Sequence, residues 1–130
     1  MATTGYLIDT NVVIDYIGEV MPLNGLAFMD EVIDNEYNIS VISRIELYAY
    51  SKLTDKDKET LDIFTNQSLI LNISDDVIEQ TIELRKRYKT KLPDAIIAAT
   101  ALTCGLTLVT RNSSDFKNIQ GLQVIDPHSL

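Results

Sequence analysis

Four acidic residues stand where apolar runs of this chain end. Asp9 closes "YLID" at the head of "YLIDTNVVIDYI", and Glu46 follows the β-branched run "NISVIS" by three residues. Asp94 opens the apolar segment "PDAIIAATALTCG", and Asp115 lies in "TRNSSDF" beyond "LTLVT". Gathered at one place, such carboxylates could not all stay ionised and unscreened: two unit charges about 4 Å apart repel by roughly 4 kcal/mol at an effective dielectric near 20. Protons or cations must relieve the repulsion. One histidine, His128, and one cysteine, Cys104, supply no zinc set. An all-oxygen set suits Mg²⁺ or Mn²⁺ instead. A cation of that kind can lower the pKa of a bound water, hold a scissile phosphate and stabilise a leaving oxygen, so phosphodiester hydrolysis needs no Ser or Cys nucleophile. Asn11, Ser43, Thr110 and Asn112 accompany the acids as neutral groups able to orient them.

Each acid also has an ordinary use. Asp9 can cap a helix, Glu46 can complete an S-x-x-E capping box with Ser43, Asp94 suits a helix N-terminus, and Asp115 suits an Asx-turn. Capping does not explain convergence on one edge, so the elements that carry the acids decide the matter. Tyr6 to Asp9, Asn38 to Ser43, Leu69 to Ile73, Leu106 to Thr110 and Leu122 to Ile125 are short apolar or β-branched runs that predict buried strands. Between them the pattern predicts helices over Val12 to Ile17, Gly25 to Glu36, Ser43 to Tyr50, from Thr54 onward, from Ser74 to about Arg87, and from Pro93 to a Gly105 C-cap. Alternating strands and helices of these lengths imply crossover connections, hence an α/β fold with a mainly parallel sheet and helices on both faces. Sites in such folds lie beyond the carboxyl ends of the strands, which is where the acids fall. Asp15, six residues after Asp9, is expected to be an exposed helix acid.

With 130 residues, 45% of them hydrophobic, and only 5 Gly and 3 Pro, residues 1–130 are expected to form one domain with a real core and no flexible linker. The lone Cys104 lies in an apolar, helix-like run and is expected to be a buried small hydrophobe, with no intrachain disulfide, as in a reducing cytosol. No basic segment followed by an apolar one opens the chain, and no apolar run approaches roughly 18 residues, so a cytoplasmic, membrane-free protein is expected. Acids outnumber bases 19 to 11, a net charge of −8, which argues against sequence-independent DNA coating but not against a nuclease whose carboxylates a metal neutralises. "RKRYKTK" concentrates Arg85, Lys86, Arg87, Lys89 and Lys91 in seven positions. The segment reads either as a solvated helix end favoured by the macrodipole or as a patch of phosphate contacts for RNA.

"LIDTNVVIDYI", "ISVISRIELYAY", "LPDAIIAATALTCGLTLVTRNSSDF" and "IQGLQVIDP", in this order from Tyr6 to Pro127, resemble the PIN-domain ribonucleases, and within them the VapC-type toxins of toxin–antitoxin pairs. The resemblance implies a three-layer α/β/α sandwich, Asp9, Glu46 and Asp94 as core acids with Asp115 as a fourth, Thr110 and Asn11 as accessory groups, and Mg²⁺ or Mn²⁺ as cofactor. It also implies an RNA substrate, a homodimer, and a small VapB-like antitoxin that can block the acidic pocket with a basic side chain. The chain departs from the pattern after "EL", where Tyr48, Ala49 and Tyr50 replace the usual small residues. Two other classes compete. A PIN-fold binding module without turnover would be expected to have lost acids, and all four are present. A phosphatase of the haloacid dehalogenase type needs a second Asp two positions after the first, where this chain has Asn11.

Overall fold

The computed structural model describes residues 5–130, and the apolar runs form five strands: β1 (Tyr6–Ile8), β2 (Asn38–Ser40), β3 (Leu69–Leu71), β4 (Thr107–Val109) and β5 (Val124–Ile125). They pair in the order β3-β2-β1-β4-β5, with every pair parallel. The helices that return the chain are α1 (Thr10–Ile17), α2 (Leu23–Ile33), α3 (Val41–Tyr48), α4 (Asp55–Gln67), α5 (Asp75–Arg87), α6 (Leu92–Cys104) and α7 (Ser113–Phe116), and a 3₁₀ turn spans Pro127–Ser129.

Strand residues alternate between two cores, which is why the strands read as unbroken apolar runs. Ile8, Ile39 and Val109 pack with Val12, Val13, Met29, Tyr37 and Phe64 beneath α1, α2 and α4. Leu7 and Leu108 face the other way, toward Val77, Leu84, Ile97 and Ala98 of α5 and α6. Ala95, Ala98, Ala99 and Ala101 of α6 are all buried, and small side chains there let α5 lie close along it. The result is a three-layer α/β/α sandwich. Among the described residues, no helix is long and apolar enough to cross a membrane.

Local chemistry explains most boundaries. Thr54 and Asp57 form a reciprocal capping box at the start of α4, with Asp57 N–H donating to Thr54 Oγ1 at 3.1 Å and Thr54 N–H donating to Asp57 Oδ2 at 3.4 Å. Ser74 caps α5, and Gly105 ends α6 in the left-handed conformation, φ 66°. The expected Ser43–Glu46 capping box does not form. Ser40, whose Oγ accepts from Ile42 N–H at 3.1 Å, caps α3 three residues earlier, so Ser43 lies inside the helix and is buried. Val41 and Ile42 suit strand or helix alike, and the serine hydroxyl decides between them. The helix expected over Gly25 to Glu36 runs instead from Leu23, after Pro22, to Ile33. Cys104 is exposed rather than buried, because the last turn of α6 leaves the core with Thr103 and Cys104 facing out.

Candidate functional site

The parallel register places the first acid. Ile8 pairs with Val109, so the residues that leave the two strands, Asp9 and Thr110, emerge side by side. Asp9 N–H donates to Val109 O at 2.9 Å, and the Thr110 hydroxyl donates to Asp9 Oδ2 at 2.9 Å. Asp9 Oδ1 accepts from Thr10 N–H at 2.8 Å, so the carboxylate also caps α1. It is 4% exposed. Capping and convergence therefore coexist in one residue.

Glu46 arrives on α3, which leaves β2 beside β1. The Thr10 hydroxyl donates its single proton to Glu46 Oε1 at 2.7 Å and lies 3.0 Å from Ser43 Oγ, from which it can accept. Asp94 stands half-buried in the first turn of α6, and exposed Asp115 stands in α7, a short helix within the segment that follows β4. Asn112 N–H donates to Thr110 Oγ1 at 3.1 Å, and Asp115 N–H donates to Asn112 O at 2.9 Å, so the β4 exit and α7 form one connected corner. Asn11 sits half-buried in the first turn of α1.

Electrostatics joins the four acids into one group. Burial pushes the Asp9 carboxyl above its ordinary range; the Thr110 hydroxyl and the Thr10 N–H oppose this, while the charges of Asp94 and Glu46 add to it. The Asp94 carboxyl is also pushed up, first by burial, then by Asp115 and Glu46, against the lowering effect of Lys91. Asp94 is thus linked to each of the other three, feeling Asp115 and Glu46 and acting on Asp9. Their donor chemistry, oxygen throughout and short of positive charge, fits a hard divalent cation. Among the described residues, however, no group of three or more His, Cys, Asp or Glu side chains is arranged to hold one ion. A cavity of about 710 Å³, lined by Gly5, Tyr6, Asn38 and Leu106 among others, contains none of the four acids. It lies by the residues that lead into β1 and β4, at the opposite end of the sheet, with Glu31 and Glu36 in its lining.

The basic segment divides. Arg85, Lys86 and Arg87 form the last turn of α5, with Lys86 3.7 Å from Glu83 and Arg87 donating to Gln120 Oε1 at 3.3 Å. Lys89 and Lys91 lie in the connection to α6, and Lys91 is the one whose charge reaches Asp94. All five are exposed.

Two features escaped the sequence reading. Thr10 links Asp9's helix to Glu46, and its place between Asp9 and Asn11 in "DTN" was the available signal. Asp15 is not an exposed helix acid. It is 7% exposed, with Arg111 Nη1 at 2.8 Å and His128 Nε2 at 3.0 Å from the same Oδ2. The two partners lie 96 and 113 residues away, so no local pattern announces them.

The PIN domain family model matches residues 6–122 of the chain. Ribonuclease VapC1 of Rickettsia felis is 32% identical over 110 residues, which cover 85% of this chain and 74% of that protein. A toxin–antitoxin complex from Klebsiella pneumoniae contains a chain 36% identical, covering 95% of this chain and 98% of its own, with a TM-score of 0.77. VapBC2 from Rickettsia felis, bound to a DNA fragment from its promoter, contains one 29% identical, with coverages of 92% and 96% and a TM-score of 0.78.

Proposed function

Because the chain belongs to the PIN-domain family, with VapC-type proteins as its relatives, we propose that it is a metal-dependent endoribonuclease and the toxin of a toxin–antitoxin pair. The observation that carries this is the coupling of Asp9, Glu46, Asp94 and Asp115, delivered from four separate elements to the strand exits. In this reading the four carboxylates hold Mg²⁺ or Mn²⁺. When bound, such an ion activates water and offsets charge on the scissile phosphate. The chain's own groups do the rest. Thr110 and Thr10 fix the Asp9 and Glu46 carboxylates by donating to them. Ser43 supports Thr10, while Asn11, next to Thr10, and Asn112, bonded to Thr110, supply neutral polar groups. Lys91, with Lys89, Arg85, Lys86 and Arg87 behind it, extends a cationic track from the rim for RNA phosphates, which a chain of net charge −8 otherwise lacks.

The relatives solved as toxin–antitoxin complexes support a small VapB-like partner; a cytoplasmic homodimer in the uninhibited state is part of the same proposal. The experiment is cleavage of a panel of structured RNAs by protein freed of any antitoxin, with Mg²⁺ or Mn²⁺. Turnover is expected with the natural chain and lost in Asp94→Asn; cleavage that persists in Asp94→Asn, or that needs no divalent ion, refutes the assignment. A binding module without turnover is the second reading, favoured by the absence of a closed three-acid arrangement among the described residues. Calorimetric titration with Mn²⁺ separates the two, since the module is expected to release no heat of binding at neutral pH.

A further inference from the structure

Asp15 is an expensive residue in its position. It lies in the second turn of α1 among Val13, Ile14, Tyr16 and Ile17, where an apolar side chain would serve the core without removing a charge from water. It caps nothing, and it is separate from the four-acid rim. One carboxylate oxygen instead gathers two distant segments: the β4 exit, through Arg111, and the C-terminal turn, through His128.

Both segments are themselves tied down. Arg111 sits between Thr110, whose hydroxyl donates to Asp9, and Asn112, whose N–H donates back to Thr110 and whose carbonyl accepts from Asp115 N–H. The β4 exit is therefore pinned to α1 twice, at Asp9 and about one and a half turns later at Asp15. On the other side, Asp126 caps the C-terminal turn by accepting from His128 N–H at 2.9 Å. Two anchors six residues apart restrain rotation of the corner in a way that the bonds at Asp9 alone could not.

We propose that Asp15 is a positioning residue of the nuclease, acting through Arg111 to hold the Thr110–Asp115 corner in register with Asp9. The proposal rests on the ribonuclease reading only for its effect on turnover. Its effect on cation binding stands apart, because a displaced Asp115 and Thr110 weaken the oxygen set whether or not RNA is cut. Partners that orient metal-binding groups from behind typically contribute 10- to 100-fold in affinity or rate.

The test compares the natural chain with Asp15→Asn, Arg111→Met, the pair together, and Arg111→Lys. Mn²⁺ affinity is read by calorimetry, and kcat and KM on a cleaved RNA are read under antitoxin-free conditions. Asp15→Asn and Arg111→Met are each expected to weaken Mn²⁺ binding and lower kcat by about 10- to 100-fold with KM changed less than about twofold. The double variant is expected to be no worse than either single one, since both break the same link. Arg111→Lys, which keeps the charge, is expected to recover most of the loss. Arg111 is half exposed, so its variants report on the link even where Asp15→Asn fails to fold. Unchanged Mn²⁺ affinity in Arg111→Met overturns the proposal, as does multiplicative loss in the double variant. If the natural chain binds Mn²⁺ yet cleaves no RNA, the nuclease reading falls while the affinity series still decides the role of Asp15.

Discussion

Asp9→Asn should make the metal-free protein more stable while abolishing its activity. Asparagine caps α1 about as well as aspartate, so the bond from Thr10 N–H survives. The amide nitrogen that replaces Oδ2 can donate to Thr110 Oγ1, reversing that bond; weakening it costs about 1 kcal/mol. Losing a negative charge at the helix N-terminus costs a further 0.3 to 1 kcal/mol, approximately. Against this stands relief of like-charge repulsion. At an effective dielectric of about 20, a like charge about 8 Å away would contribute about 2 kcal/mol, which solvent screening roughly halves. Two neighbours, Glu46 and Asp94, act on Asp9, and burial of the charge adds to the relief. The net gain is on the order of 1 kcal/mol, or about 3 to 5 °C in Tm for a chain of this size.

The pH dependence carries the same sign. The Asp9 carboxyl is raised, so its contribution to stability is present when it is protonated, below the ordinary carboxylate range, and is lost as pH rises through the raised value. The advantage of Asp9→Asn should accordingly be largest near pH 7.5 and vanish on acidification. Thermal melts in a chelating buffer at low salt, from pH 4 to 8, measure it. Under the proposed metal-dependent reading, saturating Mn²⁺ should invert the order, because the ion would bind the folded natural chain more tightly than the variant. A variant that melts below the natural chain at neutral pH in chelator, by an amount that does not change with pH, refutes the argument that this carboxylate is held against its own electrostatics.

Gly25→Ala should destabilise by roughly 1 to 3 kcal/mol, read as a lowered denaturation midpoint, because its Cβ would stand 2.2 Å from Pro127 O, a backbone atom that cannot step aside. Tyr16 donates to Asp30 across α1 and α2, and burial followed by that bond pushes its phenol up to about 12. The stability it contributes is full below the ordinary tyrosine value and is lost as pH rises through 12, so the natural chain's advantage over Tyr16→Phe in thermal melts should fade between about pH 10 and 12. Lys91→Gln should raise KM for RNA and lessen the dependence of binding on salt, measured by titration from low to moderate ionic strength. The same change removes a charge that lowers the Asp94 carboxyl, so proton competition for cation binding should extend to higher pH.

Much of the layout was legible along the chain because it depends on local patterns. Unbroken apolar runs mark strands covered on both faces, and Thr54, Ser74 and Gly105 mark helix ends through single side-chain or backbone preferences. Asp9 and Asp94 were recognisable for the same reason, since each directly follows or opens such a run. Ser43 shows the limit. Ser40 and Ser43 can each cap a helix, and the one that wins frees the other to be buried beneath Thr10. Cys104 shows another, since an apolar stretch of sequence does not reveal which face of its final turn leaves the core.

By itself, the sequence determined the alternating elements, the parallel sheet and the set of acids at the strand ends, because each follows from residues within a few positions of one another. The tertiary structure alone decided that Thr110 reaches Asp9 through strand register, that Thr10 reaches Glu46 between neighbouring helices, and that Asp15 is a buried junction rather than a solvated charge. Those pairings span 101, 36 and 96 residues. A carboxylate's energy depends on which charges and donors stand within a few ångströms and how much water remains, and for contacts that distant only the folded arrangement sets either quantity.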